Sequence, residues 1–178
     1  MQIVALLCTV LVFGSTCLAA DDAKIGGALD ARLLSARAQA DAACNSRTFT
    51  VECWAKVRGK DGFNIFVANE PKSSKAHWEI YAYAKTGGFS AYLPANRQAE
   101  IKSSFDVTDG KWHHLAMVID GGQIRLYADG REVARAKDTR PVRKTGRPGQ
   151  LAFGSLVSGR IGCNGSIDEV RISKTARK

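Results

Sequence analysis

The stretch that decides the fold is Trp112-His-His-Leu-Ala-Met-Val-Ile-Asp-Gly-Gly-Gln-Ile-Arg-Leu-Tyr-Ala-Asp-Gly-Arg-Glu-Val133. Two turn sequences, Asp120-Gly-Gly and Ala128-Asp-Gly, separate three short segments, as hairpin turns separate strands. The first segment is apolar on both faces after His114, which predicts a central strand that is covered on both sides. The stretch therefore predicts three consecutive antiparallel strands.

Residues 48–57 predict another strand, because apolar and polar side chains alternate along them. The apolar set is expected to face the core, and Trp54 interrupts the polar set, so that face should be at least partly covered. The core-facing residues are Phe49, Val51, Cys53, Ala55 and Val57, and the opposite ones are Thr50, Glu52, Trp54 and Lys56.

Further strands are predicted at residues 62–69, 77–85, 150–154 and 166–173. Strands with frequent turn signals and no alternation with helices predict an all-β sandwich or barrel and exclude a doubly wound nucleotide-binding fold. Residues 28–43 favour a helix by propensity. A sandwich needs an N-terminal strand to pair with the last one, so we expect a strand around Leu33–Ala38, with a helix as the alternative.

Gly87-Gly88 predicts a two-residue hairpin loop. In that register Ala84 faces Ala91 and Tyr83 faces Tyr92, so small apolar residues share one face and tyrosines the other. The tyrosine face is the candidate ligand site, because aromatic rings stack on sugars while polar neighbours bind hydroxyls. Its predicted members are Tyr81, Tyr83, Tyr92, Glu79, Lys85 and Ser90.

The composition is that of an ordinary globular protein: 178 residues, 45% apolar and 24% charged. Residues 1–20 hold no Asp, Glu, Lys or Arg, and a short apolar run in them ends in small residues, as in a secretory signal peptide. We expect removal after Ala19 or Ala20, one domain over residues 21–178, and a secreted, periplasmic or cell-envelope protein. A lipid-modified Cys17 and an uncleaved membrane anchor are the alternatives.

Removal of that segment would leave Cys44, Cys53 and Cys163, so at most one disulfide within the chain is expected. No Cys-x-x-Cys is present, which gives a thiolate zinc site no support. Cys53 shares its parity with apolar residues and is expected to be a buried thiol.

Positive charge is concentrated at the C-terminal end, where residues 131–178 hold 12 Lys/Arg and 4 Asp/Glu. The densest part is the segment 135–147, a predicted loop that either binds an anionic or acidic surface or only keeps the protein soluble. A nucleic acid partner is not expected, because no aromatic side chains interleave the basic ones. The basic patch comprises Arg135, Lys137, Arg140, Arg143, Lys144 and Arg147.

Three stretches together resemble the laminin G-like, concanavalin A-like jelly-roll family: 49–55, 112–133, and 151–154 with 165–172. The resemblance implies an all-β, two-sheet antiparallel β-sandwich with neighbouring termini. It also implies a module that, like most of the family, is non-catalytic and binds carbohydrate or protein, in some members with calcium. Its structural residues here are Trp54, Trp112, Tyr127 and Phe153 in the core, Asp129-Gly130 in a tight turn, and Asp168, which should bond backbone or a neighbouring side chain. We expect Trp54→Ala to cost roughly 3–5 kcal/mol.

Catalysis is not expected. The hydrolase branch of such sandwiches carries paired acids in a Glu-x-Asp-x-x-Glu run, which this chain lacks, and Asp168-Glu169 should diverge on a regular strand. His113-His114 should diverge as well, so no metal site and no cofactor are predicted, although calcium stays open. The sequence thus predicts a module that binds a glycan, or alternatively a protein of the cell envelope through the basic loop 135–147.

Overall fold

The structure, a computed structural model, describes residues 27–40, 44, 46–141 and 149–177. These residues form twelve strands in two six-stranded antiparallel sheets. Sheet A has the order β1-β12-β3-β8-β9-β10, and sheet B has the order β2-β11-β4-β5-β6-β7. The strands are β1 Leu29–Asp30, β2 Ala36–Gln39, β3 Thr48–Arg58, β4 Asn64–Asn69, β5 Trp78–Ala82, β6 Gly88–Tyr92, β7 Glu100–Asp106, β8 Asp109–Asp120, β9 Gln123–Ala128, β10 Arg131–Lys137, β11 Gln150–Phe153 and β12 Gly165–Ser173. The predicted all-β sandwich is confirmed.

The stretch that begins at Trp112 forms β8, β9 and β10, side by side in sheet A. In the second turn, Asp129 and Gly130 both have positive φ angles, 50° and 77°, as a two-residue turn between strands requires. Residues Leu115–Ile119 of β8 are buried on both faces, which confirms the prediction of a central, covered strand.

The core lies between the two sheets and consists of the inward set of each strand. On β3 the five predicted inward residues, from Phe49 to Val57, are at most 1% exposed. Trp78 of sheet B packs 5.4 Å from the ring of Phe49 and donates its indole N–H to the carbonyl of Cys44 at 2.8 Å. This bond satisfies the one polar atom of a fully buried indole.

The N-terminal segment was predicted with the wrong boundaries. Residues 27–40 contain two strands instead of one: β1 pairs with β12 in sheet A, and β2 pairs with β11 in sheet B. The turn between them is held by Asp30, whose carboxylate binds the guanidinium of Arg32. Leu33 and Leu34 lie on this turn, 68% and 51% exposed, so the helical spacing of the apolar residues here is not a buried face.

The predicted register of the β5–β6 hairpin is also wrong. Tyr81 pairs with Ser90 and Glu79 with Tyr92, four residues away from the predicted register. The loop contains more residues than the two glycines. Residue 87 has to be glycine for two reasons: its φ is 72°, and a Cβ there would lie 2.1 Å from a carboxylate oxygen of Asp106. A slip by an even number keeps every side chain on its face, so the tyrosine face survives the error.

Cys44, Cys53 and Cys163 are all buried free thiols. Burial raises the pKa of Cys163 to about 12 and that of Cys53 still higher. The predicted signal peptide lies outside the described residues. Within the part that the structure describes, no helix has the length and apolar character to cross a membrane.

Candidate functional site

Two rows of side chains run across the outer face of sheet B. The register brings together one residue each from β4, β5, β6 and β7 in both rows. The first row is Ile65, Tyr81, Ser90 and Lys102, and the second is Ala68, Glu79, Tyr92 and Glu100. Aromatic, acidic and basic groups of four strands therefore meet on one surface.

A loop after β11 covers one side of this surface. Leu156 packs there with Ile65, Ala68 and Tyr81 in an apolar cluster separate from the main core, and Ile161 packs against it. The loop is closed on itself, because the N–H of Leu156 donates to the carbonyl of Ile161 at 2.9 Å. The loop therefore covers part of the tyrosine face.

What stays open beside the loop is the tyrosine groove, a depression of about 80 Å³. Phe63, 39% exposed, forms its aromatic rim with its ring 5.2 Å from that of Tyr83. Tyr83 and Tyr92 are half-buried, so each ring keeps an accessible part. The groove is lined by Phe63, Ile65, Lys72, Glu79, Tyr81, Tyr92, Glu100 and Ile161.

Tyr81 is one of the nearly fully buried residues that line the groove and is 2% exposed. Its hydroxyl donates to Glu100 Oε1 at 3.3 Å. Burial, together with the neighbouring carboxylates of Glu100 and Glu79, raises the pKa of Tyr81 far above its usual value. The hydroxyl therefore stays a neutral donor at every physiological pH.

Two lysines flank the groove, and each lies over a tyrosine ring while it binds a glutamate. Lys102 Nζ is 3.9 Å from the ring centre of Tyr83 and 2.8 Å from Glu100. Lys72 Nζ is 5.2 Å from the ring centre of Tyr92 and 3.1 Å from a carboxylate oxygen of Glu79. The side-chain hydrogen bond to Glu100 is the main cause that raises the pKa of Lys102. Two charges of each sign leave the groove polar but close to neutral overall.

A buried histidine supports Glu79 from behind. His77 Nε2 lies 3.1 Å from Glu79 Oε2, and its Nδ1 lies 2.8 Å from the carbonyl of Glu70. The imidazole ring is also 5.9 Å from the ring of Tyr92. Glu79 is thereby held between a lysine and a histidine, which fixes its orientation.

Three residues of the predicted site do not line the groove. Tyr83 lies beside it, with its ring packed against that of Phe63. Ser90 is fully buried and donates its hydroxyl to the carbonyl of Gly88 at 2.9 Å. Lys85 is exposed on the β5–β6 loop, outside the groove lining. The pattern of β5 and β6 missed the residues that other segments contribute, because their nearness depends on the tertiary fold: Phe63, Lys72, Glu100, Lys102 and Ile161.

The basic patch is only partly described, since Arg143, Lys144 and Arg147 lie outside the described residues. Arg140 is nearly buried and its guanidinium chelates the carboxylate of Asp138. Arg135 binds Glu132, and Lys137 is exposed. Arg140 is therefore largely engaged within the fold.

The residues predicted as aromatic core divide into two groups. Phe153 is 6% exposed and packs in the core. Trp54, Trp112 and Tyr127 are half-buried on the outer face of sheet A, so their predicted place in the interior is wrong. The ring of Trp54 lies 5.3 Å from that of His114. The polar parity of Trp54 was the better guide to its position.

Asp168 stands beside Trp54 in the sheet, at an irregularity in β12. Its carboxylate accepts the backbone N–H of Glu169 at 2.8 Å, and Glu169 has a φ of 48°. A carboxylate that accepts a backbone hydrogen bond at a β-bulge has a role in shaping the strand.

The two adjacent histidines lie on opposite faces of β8, His113 buried and His114 half-buried. His113 bridges two carboxylates: Nδ1 is 2.7 Å from Asp129 and Nε2 is 3.0 Å from Asp109. Burial lowers the pKa of His113, but the hydrogen bonds to Asp129 and Asp109 outweigh it, so the net shift is upward. The backbone N–H of Lys111 is the main cause that lowers the pKa of Asp109 to about 2. Among the described residues, no group of three or more His, Cys, Asp or Glu side chains is arranged to hold a metal ion.

Comparison with known proteins gives a family match and a set of similar folds. The family model described as concanavalin A-like lectin/glucanases superfamily matches residues 34–178. A comparison with curated protein sequences finds no match.

Three solved structures illustrate the similarity of fold. Domain 4 of AbnA, an extracellular GH43 arabinanase from Geobacillus stearothermophilus in complex with arabinotriose, is 22% identical over 93% of this chain and 78% of that chain, with a TM-score of 0.67. The CBM40 of the Ruminococcus gnavus IT-sialidase, bound to α2,3-sialyllactose, is 13% identical over 82% of this chain and 94% of that one, with a TM-score of 0.61. The heptameric SAP-like pentraxin from Limulus polyphemus is 15% identical over 75% of this chain and 66% of that one, with a TM-score of 0.57.

Proposed function

The chain belongs to the concanavalin A-like lectin/glucanase superfamily, and on this basis we propose that it is a non-catalytic module that binds a glycan in the tyrosine groove. The observation that carries the proposal is the pairing of half-buried tyrosine rings with lysine–glutamate pairs on one surface. Rings can stack on the apolar face of a sugar, while the charged groups exchange hydrogen bonds with its hydroxyls.

The dimensions of the groove favour an extended ligand. Pockets that enclose a small molecule have volumes of about 300–1,000 Å³. The groove has about 80 Å³ and is open, so it accommodates one edge of a sugar rather than a whole enclosed ring. A chain that lies across the sheet fits this shape. The arabinotriose complex of AbnA domain 4 and the sialyllactose complex of the CBM40 support a sugar ligand for this fold.

The carboxylates of the groove support binding rather than hydrolysis. Glu79 is held by Lys72 at 3.1 Å and by His77, and Glu100 is held by Lys102 at 2.8 Å. A glycosidase needs one carboxyl group to donate a proton and a second to attack or to activate water. Glu100, whose side chain is 42% exposed, is instead well placed to accept a hydrogen bond from a sugar hydroxyl, whereas Glu79, 3% exposed, holds Lys72 in position.

The test is a glycan array followed by titration calorimetry with the sugar that binds best, on wild type, Tyr92→Ala and the double variant Tyr83→Ala/Tyr92→Ala. We expect Tyr92→Ala to weaken binding about tenfold and the double variant to abolish it, because contact rings carry most of the binding energy in such sites. Trp54→Ala is the matched control, since it removes an aromatic ring of the other sheet. A double variant that binds every glycan like wild type would contradict the proposal.

The alternative is a protein partner of the cell envelope that contacts the basic segment 135–147. Arg140 and Arg135 already bind Asp138 and Glu132, which leaves less free charge than the sequence suggests. Binding through that segment should weaken steeply with ionic strength, whereas stacking on tyrosines should hardly change. Titrations of the same ligand at low and high salt distinguish the two.

We further infer export, with residues 1–20 removed as a signal peptide, and a binding reaction that needs no calcium. N-terminal sequencing of the protein from the cell envelope or medium tests the first point. Removal after Ala19 or Ala20 leaves Ala20 or Asp21 first, and a first residue before Ala20 would contradict it. Titration with and without a chelator tests the second, where equal affinities are expected.

A further inference from the structure

A second depression, the arginine cleft, lies where the start of β3, the loop before β5 and the segment after β10 meet. It has a volume of about 20 Å³. A space of that size holds one water molecule or the oxygen atoms of a small group, and no sugar ring. The lining includes Arg47, Lys75, His77, Arg140 and Pro141.

The charge of the cleft is unbalanced. Arg47, Lys75 and Arg140 bring three positive charges, and the carboxylate of Asp138 brings one negative charge. Asp138 is fully buried, with Arg140 Nε at 2.9 Å and Arg47 Nη2 at 3.8 Å. Two of the three positive charges are therefore left for a ligand.

The two guanidinium groups are held in place, and each has one nitrogen that no described residue engages. Arg140 donates to Asp138 through Nε and Nη2, and Arg47 donates to the carbonyls of Arg140 and Gly121 through Nη1 and Nη2. Arg140 Nη1 and Arg47 Nε make no hydrogen bond with any residue that the structure describes. Lys75 is exposed and is likewise unpaired within the described ranges. Fixed cations with unused donors favour an anionic oxygen, because little order has to be gained on binding.

The arginine cleft and the tyrosine groove share a wall. His77 lines the cleft, and its ring lies 5.9 Å from the ring of Tyr92 and 3.1 Å from Glu79 in the groove. One residue therefore separates the two depressions.

We propose that the arginine cleft binds a carboxylate or sulfate group of an acidic glycan whose sugar rings lie in the tyrosine groove. This inference rests on the proposed function. It specifies that the glycan is negatively charged, a property for which the near-neutral groove alone gives no preference. The two lysine–glutamate pairs would contact hydroxyls, and the cleft would select the acidic group.

The test compares two pairs of probes in which a charged and a neutral polymer share the same sugar backbone: polygalacturonate with its methyl ester, and dextran sulfate with dextran. Lys75→Gln removes an exposed cation of the cleft, so the variant should fold. Arg131→Gln is the matched control, because Arg131 is exposed at the far end of β10, about 20 Å along the strand from the cleft. Affinity is measured by calorimetry at low salt for wild type, both variants and Tyr92→Ala.

We expect wild type to bind one charged probe at least tenfold more tightly than its neutral partner, and Lys75→Gln to lose roughly fivefold on the charged probe alone. Arg131→Gln should lose less than twofold. Equal losses for Lys75→Gln and Arg131→Gln would overturn the proposal, because the attraction would then be a general charge effect. Wild type that does not prefer either charged probe would overturn it as well.

The outcome for Tyr92→Ala separates the failure of the groove from the failure of the cleft. Weaker binding of both members of a probe pair supports the groove as the place of the sugar rings. If Tyr92→Ala binds like wild type while Lys75→Gln loses only the charged probe, the cleft is supported and the groove is rejected. If only Tyr92→Ala weakens binding, the groove is supported and the cleft is rejected.

Discussion

The outer faces of the two sheets carry the same kinds of residue in different arrangements. On sheet A the aromatic rings of Trp54, Trp112 and Tyr127 lie among charges that pair with one another. The carboxylate of Glu52 there lies 3.3–3.7 Å from side-chain nitrogens of His114, Arg171 and Arg177. On sheet B the cations lie over tyrosine rings, and a loop buries part of the face.

The difference teaches that aromatic residues on a polar strand face do not by themselves make a binding site. On sheet A, charges of opposite sign on neighbouring strands neutralise each other, which stabilises the sheet modestly. On sheet B, the loop around Leu156 and Ile161 rises above the sheet and forms one side of a groove. A ligand gains buried contact area only in the second case.

The largest difference between the faces is expected when a tyrosine is removed from each. Tyr81→Ala should lower the free energy of unfolding by about 3–4 kcal/mol, because Tyr81 is 2% exposed and anchors the apolar cluster of its face. Tyr127→Ala should cost about half as much, since Tyr127 is half-buried. Urea unfolding of both variants measures this, and equal costs would remove the distinction between a covered and an open face.

A smaller effect is expected for Trp54→Ala. The sequence predicted a loss of roughly 3–5 kcal/mol for a core tryptophan, but the half-buried position on sheet A lowers the expectation to about 2 kcal/mol. Glycan affinity should stay at the wild-type value. Thermal unfolding measures the loss of stability, and calorimetry measures the glycan affinity. A variant that fails to fold would contradict the half-buried position and would support a core position for Trp54.

His113, which lies near one end of β8 on the inner face of sheet A, should make the stability of the fold depend on pH. Because its pKa is raised in the folded protein, its contribution to stability is fully present below the unfolded value of about 6.5 and is lost as the pH rises through the folded value. Unfolding free energies measured across this range should therefore fall with rising pH. Asp129→Asn keeps a residue that tolerates the φ of 50° but removes one carboxylate, and it should flatten the slope. An unchanged slope would show that the bridge does not set it.

The smallest effect is expected for the charge pairs of sheet A. Arg125 binds Asp120 at 2.7 Å and lies 3.9 Å from Glu132. Arg125→Gln should cost about 0.5 kcal/mol, a loss that high salt removes, and should leave glycan binding unchanged. Denaturation at low and high salt measures it. A loss above about 2 kcal/mol would mean that these pairs stabilise the sheet far more than exposed pairs usually do.

The sequence predicted the architecture well, because alternation has a period of two and survives errors of register. The β5–β6 hairpin illustrates this: its pairing was four residues off, and Tyr81 and Tyr92 still share the outer face. The strand at residues 48–57 was correct to within a residue, since its apolar parity is uninterrupted. The N-terminal segment was harder, because alanine and leucine favour helix locally and only pairing with β12 and β11 makes it strand.

The candidate site was predicted only where a single hairpin forms it. Tyr83 and Tyr92 follow from the local pattern, but Phe63, Lys72 and Ile161 come from distant segments that only the completed fold brings together. Ser90 was included by parity alone, and parity does not reveal that its hydroxyl bonds the backbone of its own strand. The basic patch pointed to Arg140, but the arginine cleft was missed, because its other guanidinium group belongs to Arg47, which is 93 residues away in the chain.

The three buried thiols can be used to measure unfolding of the sandwich, because each becomes accessible to a reagent only when its surroundings open. A thiol reacts with an alkylating reagent only as the exposed thiolate, and Cys53 and Cys163 are both buried and hard to ionise in the folded protein. Cys53 lies on β3 at the centre of sheet A, whereas Cys44 precedes that strand. Mass spectrometry of labelled peptides would therefore give the labelling rate of each cysteine. The rates would distinguish local unfolding of the chain ends from global unfolding of the sandwich.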